Sequence, residues 1–316
     1  MTMRPIELDE VPRLTALINR FESHWEVPIV STPEQVEDDL TEPFVDLEAD
    51  SRGVWDGGEL IGYGLVYHRP SGERLERSHM VGMVDPDRLG EGYGRQIFEW
   101  QLERSIESLR QCDPGLPWYV RTAEFDWIEP AHRLYRRFGL EPVRYIKEMV
   151  MPLDRRIAAG EPTGVTIVPW DRRRDEEARE VLNEAFADHW GSTPTDVETF
   201  RHRVESHGIR VDLSFLAVAG DEVVGVCLNA SYPEDEAISG RREGWVEILG
   251  VSRPWRGRGV ATALISASLD AFAQEGMTHG AIGVDADNPT GAFQLYRRIG
   301  FEVAQGMIIS QIEVSA

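Results

Sequence analysis

The chain repeats itself, which limits it to folds that can be built twice. Phe21-x-x-His24-Trp25 returns as Phe186-x-x-His189-Trp190, about 165 residues further on. In the same order, Glu59-Leu60-Ile61-Gly62 returns as Glu222-Val223-Val224-Gly225, VDPDRLGEGYGR as VSRPWRGRGVAT, and AHRLYRRFGLEPV as AFQLYRRIGFEVA. Loop insertions account for a drift of a few residues between the pairs. With 316 residues there is room for two domains of ordinary size. Two copies of one domain is the economical reading. The junction is expected near Gly160, where the polar stretch DRRIAAGEPTG separates VRYIKEMVMPL from a fresh apolar alternation, VTIVPW. The expected domains are therefore 1–159 and 160–316.

The second copy can be read element by element. VTIVPW is strand-like and EEAREVLNEAFADHW is helical. FLAVAGDEVVGVCLNA gives two antiparallel strands around a Gly-Asp turn, and WVEILGV gives a buried strand. Over 260–275, positions 261, 264, 265, 268 and 272 form a helical stripe, which Gly276 ends. HGAIGVDADN is a strand, TGAFQLYRRIG a helix and AQGMIISQIEV a closing strand. The fold class is α/β in the mixed, α+β sense: in each copy a mainly antiparallel mixed sheet flanked by helices.

Composition narrows the partners. Fifty-five acidic against 33 basic side chains leave a net charge of −22. Such a surface repels nucleic acid and anionic lipid, so neither is expected as a partner. Cys112 and Cys227 are too few for a disulfide framework or a thiolate metal site. No HxxxH or acidic cluster has metal-ligand spacing, so no metal is expected. The N-terminal stretch lacks a signal-peptide core and no apolar run has the length of a membrane span. A cytoplasmic monomer or homodimer is the expectation.

Chemistry concentrates in SRPWRGRGVATALISA, a glycine-rich turn between a strand and a helix. Glycines let backbone N–H groups approach an anion, and the helix N-terminus adds a favourable dipole. There is no GxxxxGK[ST], so the turn is not a P-loop. Gly257-x-Gly259 opens a dinucleotide fingerprint, but Thr262 stands where its third glycine belongs. Asp285, at the end of the next strand, would still suit a ribose-binding acid.

Arg256-x-x-Gly259-x-Ala261 resembles the pyrophosphate loop, R/Q-x-x-G-x-G/A, of the GNAT superfamily of acyl-CoA-dependent N-acyltransferases. NPTGAFQLYRRIGF, from Asn288 to Phe301, is similar to that superfamily's N-x-x-A-x-x-L-Y-x-x-x-G-F segment, with one extra residue after Asn288. The tandem arrangement also resembles the mycothiol synthase family, which acetylates the cysteinyl amine of a glucosaminyl-inositol conjugate. The resemblance implies two tandem GNAT-like domains and an N-acetyltransferase. Acetyl-CoA would be its donor and a small-molecule amine its acceptor. A non-catalytic acyl-CoA sensor on the same fold is the competing class.

The resemblance also implies roles. Tyr296 would protonate the departing thiolate. From its own position, an acid inside an otherwise apolar strand on the face of Leu249 and Val251, Glu247 is the candidate to take the amine's proton, with Asp285 at the end of the neighbouring strand as the alternative base. Leu249 and Val251 would offer backbone groups to the pantetheine arm. Arg256 and Arg258 would meet the diphosphate as cations, and Gly257, Gly259, Val260, Ala261 and Thr262 would offer N–H groups. Asn288 would hold the pantetheine or nucleotide end. Asp287 reads as an N-cap or turn residue, Cys227 as a structural thiol, and the His-Trp pairs as packing. In the first copy Leu89 and Glu91 replace the two arginines and Trp127 replaces Asn288. That copy is expected to be a scaffold walling the acceptor cleft.

Overall fold

The computed structural model describes residues 1–71, 73–155, 160, 162–187, 189–287 and 291–315. Its contacts divide the chain into two compact units, Met1–Tyr145 with Met307–Ala316, and Ile146–Gly306. Each unit is a mixed sheet with helices.

The first unit contains β1 (Thr2–Arg4), α1 (Val11–His24), α2 (Pro33–Leu40), α3 (Leu47–Asp50), β2 (Ser51–Asp56), β3 (Glu59–His68), β4 (Glu76–Val84), α4 (Tyr93–Leu109), β5 (Trp118–Phe125) and α5 (Glu129–Arg137). The strand β6 (Glu141–Pro152) leads into the second unit. There follow β7 (Thr166–Pro169), α6 (Asp175–Phe186), α7 (Val197–Glu205), β8 (Phe215–Ala219), β9 (Glu222–Ala230), α8 (Glu236–Ser239), β10 (Glu243–Val251), α9 (Val260–Gln274), β11 (His279–Asp285), α10 (Ala292–Ile299) and β12 (Glu302–Val314). The elements read from the second copy are all present. Helix α7 was not among them; Asp196 caps it by accepting from the Thr199 N–H.

The compact units do not divide at Gly160. Strand β11 pairs antiparallel with residues 146–152 of β6, and Met149 and Met151 are buried in the second unit's core. Residues 307–314 of β12 pair antiparallel with β5, and Ile312 and Val314 pack on a core cluster of the first unit. Each unit thus uses the last strand of the other sequence copy. A polar linker marks where a repeat ends, but it carries no information about which sheet edge a strand joins.

Within the second unit the strand order is β6-β11-β10-β9-β8-β7, and among the described residues only β10 and β11 run parallel there. Helix α9 buries Val260, Leu264, Ile265, Leu269 and Phe272 against one face, with Val246, Ile282 and Phe301. Helices α6 and α7 bury Val181, Leu182, Phe200 and Val204 in a second cluster with Leu216, Val226 and Leu228.

The approach of α9 depends on a glycine pair. Gly244 and Gly280 are cross-strand partners. A Cβ on Gly244 would lie 2.3 Å from Phe272 Cγ, and one on Gly280 would lie 2.3 Å from Leu269 Cδ2. Gly244→Ala should therefore destabilise the chain by about 1–3 kcal/mol through overpacking. A thermal melt with an unchanged midpoint would refute this account of the helix–sheet contact.

Candidate active site

The parallel pairing of β10 with β11 covers only 243–246 against 279–282. Beyond it β10 stays with β9 and β11 stays with β6, so the two strands part. A register shift between Val246 and Ile248 makes Glu247 the extra residue of a β-bulge, a device that re-aims a side chain. Gly283 stands across the gap, and a Cβ there would meet nothing within 4 Å. The opening forms part of a cavity of about 570 Å³. Glu247, Leu249 and Val251 line it, as do Arg256, Gly257, Gly259, Val260, Ala261, Thr262 and Tyr296. Arg258 does not line it, and Asn288 lies outside the described residues.

The loop has the backbone its glycines suggest. Gly257 and Gly259 have φ of +73° and +84°, a region that L side chains enter only with strain. Gly259 precedes the first turn of α9, and no side chain caps that helix. The N–H groups of Val260, Ala261 and Thr262 belong to a first turn that has no intrahelical acceptor for them, where the helix dipole favours an anion.

The arginines behave differently from one another. Arg256 Nε donates to the Val251 carbonyl (3.1 Å) and its Nη2 donates to the Ala185 carbonyl (2.8 Å) in the last turn of α6. It was expected as an open cation for phosphate, yet its guanidinium clamps the loop to a strand end and a helix C-terminus. Carbonyls at a helix C-terminus are electronegative and attract such a group. Arg258 is exposed, with its guanidinium carbon 5.0 Å from the Trp255 ring centroid, a cation–π contact.

Glu247 is open to the cavity but crowded by protein on its other sides, and this desolvation raises its carboxyl above the usual glutamate range. Tyr296 is 6% exposed, and burial raises its hydroxyl well above the ordinary phenol range, so it remains a proton donor. Asp285 is buried, and its Oδ1 accepts the Asp287 N–H (2.9 Å) in a turn. Asp287 is that turn's residue, and Gly291 is the N-cap of α10. Cys227 lies in the core beside Ser268 (3.2 Å), its thiol pushed up to about 12 by burial, as suits a structural residue.

Three wall residues were not expected from the sequence. His189, read as a packing residue, packs 5.5 Å from Phe186 and also lines the cavity with it. Ile146 lines it from a strand that precedes the expected domain junction. Only the helical period of α6 could have placed Phe186 on an inward face; nothing in the sequence marks Ile146.

In the first unit the corresponding loop is the same in backbone and different in charge. Gly90 and Gly92 have φ of +84° and +91°. Arg88 donates to Asp56 (3.0 Å), Glu91 (2.9 Å) and Tyr93 (3.0 Å), so its charge is already paired. Trp127, which replaces Asn288, donates through Nε1 to the Trp25 carbonyl (2.8 Å).

Residues 176–301 match a model of the acetyltransferase (GNAT) family. Over 259 residues the chain is 30% identical to the mycothiol acetyltransferase of Kocuria rhizophila, spanning 78% of this chain and 79% of that one. The chain belongs to the GNAT acetyltransferase family. It is also 28% identical, over 90% of both chains, to the mycothiol acetyltransferase of Saccharopolyspora erythraea. A GCN5-related N-acetyltransferase from Sphaerobacter thermophilus superposes with a TM-score of 0.78 at 27% identity, covering 100% of this chain and 96% of that one. A tandem GNAT protein from the clavulanic acid biosynthesis pathway shares the fold, with a TM-score of 0.73 at 15% identity over 99% and 98% of the two chains. This GNAT acetyltransferase is thus an enzyme of acyl transfer. Among its described residues, no helix is long and apolar enough to cross a membrane.

Two outcomes check the geometry. Arg256→Ala strands two backbone carbonyls and should cost about 1–3 kcal/mol of stability, whereas exposed Arg258→Ala should leave the melting temperature almost unchanged. Equal melting temperatures for the two variants would remove the clamp. The second outcome concerns pH. A carboxyl raised by folding keeps its proton where the unfolded chain has released one, so stability falls as pH climbs from the ordinary glutamate value to the raised one. Glu247→Gln should therefore gain stability relative to the parent at neutral pH and lose that advantage in acid. Parallel stability–pH curves would show that Glu247 is not desolvated.

Proposed function

We propose that the unit Ile146–Gly306 transfers the acetyl group of acetyl-CoA to the primary amine of a small molecule by direct attack. One observation carries this reading: a single cavity collects Glu247, Tyr296, the parted edge of β10 and the uncapped first turn of α9. The diphosphate is assigned to the N–H groups of 257–262, with Arg258 as the nearby cation and Asn288 at the pantetheine or nucleotide end. The pantetheine arm follows Leu249 and Val251.

The amine gives a proton to Glu247 and its nitrogen attacks the thioester carbon. A backbone N–H of β10 stabilises the oxyanion that forms. The C–S bond then breaks, and the thiolate takes a proton from Tyr296. Glu247 gains one proton and Tyr296 loses one; exchange with solvent restores both. The raised carboxyl of Glu247 brings its proton affinity closer to that of an amine base, as general-base catalysis near neutrality requires.

A narrower acceptor is supported by the relatives named mycothiol acetyltransferase: the cysteinyl amine of a glucosaminyl-inositol conjugate. Thiol release from acetyl-CoA across amino sugars, polyamines and cysteinyl conjugates tests both levels. Turnover only with cysteinyl conjugates supports the narrower acceptor. Stabilisation by acetyl-CoA without turnover of any amine would favour a non-catalytic sensor.

Tyr296→Phe keeps the ring and removes the hydroxyl. Turnover should fall by about 10²-fold with little change in acetyl-CoA affinity. Wild-type turnover would take Tyr296 out of the reaction. Calorimetry should find one tight acetyl-CoA site per chain, because Arg88 in the first unit is neutralised by Asp56 and Glu91. Two sites of equal affinity would overturn that asymmetry.

A further inference from the structure

Outside the proposed active site, three metal-ligating side chains converge in the first unit. His68 ends β3, Glu76 begins β4, and Cys112 lies in the turn after α4. His68 Nε2 is 3.5 Å from Cys112 Sγ and 3.8 Å from Glu76 Oε2, and all three donor atoms lie within 4.8 Å of one another. The His68 and Glu76 side chains are only 8% and 1% exposed. We propose that His68, Glu76 and Cys112 form a binding site for one borderline-soft divalent cation of the zinc class, with a fourth position open to water.

The separations fit that ion. Zinc holds sulfur at about 2.3 Å and nitrogen or oxygen at about 2.0–2.2 Å, and tetrahedral angles then put ligand atoms about 3.4–3.6 Å apart. The two His68 separations, 3.5 and 3.8 Å, lie close to this and the remaining one is within 4.8 Å, so an inward movement of the thiol and carboxylate completes the set. Donor chemistry selects the same class: thiolate and imidazole disfavour magnesium and calcium, which take oxygen. One thiolate, one carboxylate and one neutral imidazole sum to two negative charges, which a divalent cation cancels inside the fold.

Burial lowers His68, so its imidazole is neutral with a lone pair to offer. Burial first, and then Glu76, push the Cys112 thiol up to about 11, so the cation must displace a proton from Cys112 to solvent on binding. An outer shell is in place. The Ser71 N–H donates to Glu76 Oε2 (2.8 Å), fixing the carboxylate. Arg104, whose charge bears on His68, is itself paired with Asp50 (2.7 Å) and Glu107 (3.0 Å). The site would staple the looped end of the β3–β4 hairpin to the end of α4. Cys112 comes 36 residues after Glu76 and beyond an intervening helix, so no spacing motif announces the set.

The test uses the untagged full-length chain, stripped with a chelator and titrated with Zn²⁺ by calorimetry and with Co²⁺ by absorption. Expected are one tight equivalent of Zn²⁺ per chain, a raised melting temperature, and a thiolate-to-cobalt charge-transfer band with the visible bands of a four-coordinate ion. Cys112→Ser should abolish the charge-transfer band, and Cys112→Ser and His68→Gln should each weaken Zn²⁺ binding by at least about a hundredfold, since even outer partners of a metal ligand cost 10–100-fold. If the wild-type chain shows no thiolate band with Co²⁺, or Cys112→Ser binds Zn²⁺ as tightly as the parent, the proposal is overturned, whether or not either variant folds less well.

Discussion

The second unit depends on where two parallel strands stop bonding to each other. After Val246 and Ile282 the ladder ends, and β10 and β11 each keep only their outer partner. A sheet normally satisfies both edges of an interior strand, because an unpaired backbone group held away from water is costly. Here the cost is met by the geometry of the gap. Water or a ligand can reach the parted edges, and the bulge at Glu247 turns a carboxylate toward them. The glycine loop and α9 begin where β10 ends, so one departure from regular pairing places strand edge, acid and helix terminus around one space.

The two copies show how a loop can keep its shape and change its use. Both hold paired glycines at left-handed φ ahead of a long helix. In the second copy Arg256 reaches back to the Val251 and Ala185 carbonyls, and its position in the first copy is taken by Leu89, an exposed side chain with no such reach. The first loop is held instead by Arg88, locked between Asp56 and Glu91. An arginine in a glycine-rich loop can thus be a building element that holds the loop to a strand end and a helix end.

Much of this was legible in the sequence because it is local. Helical period placed α6, α9 and α10, a Gly-Asp turn placed the β8–β9 pair, and alternating glycines announced the loop. The repeat revealed two units before any element was assigned. What stayed hidden depends on partners chosen at long range. The bulge at Glu247 exists only relative to β9, the role of Arg256 only relative to the end of α6, and the wall residue Ile146 only relative to β11. The junction at Gly160 was misleading for the same reason: composition marks a linker, while sheet membership is decided by edges.

The exchange of closing strands has a consequence for how this chain comes into being. Strand β5 leaves the ribosome well before the segment that covers its edge, 307–314, which follows more than 180 residues later. Until then that edge is bare, and an uncovered strand edge is a template for wrong pairing. Pairs this distant in sequence also raise contact order and slow the final docking. The gene consequently reads as two repeats but cannot be divided into two proteins at the repeat boundary: a break there would give each half a closing strand that completes the sheet of the other.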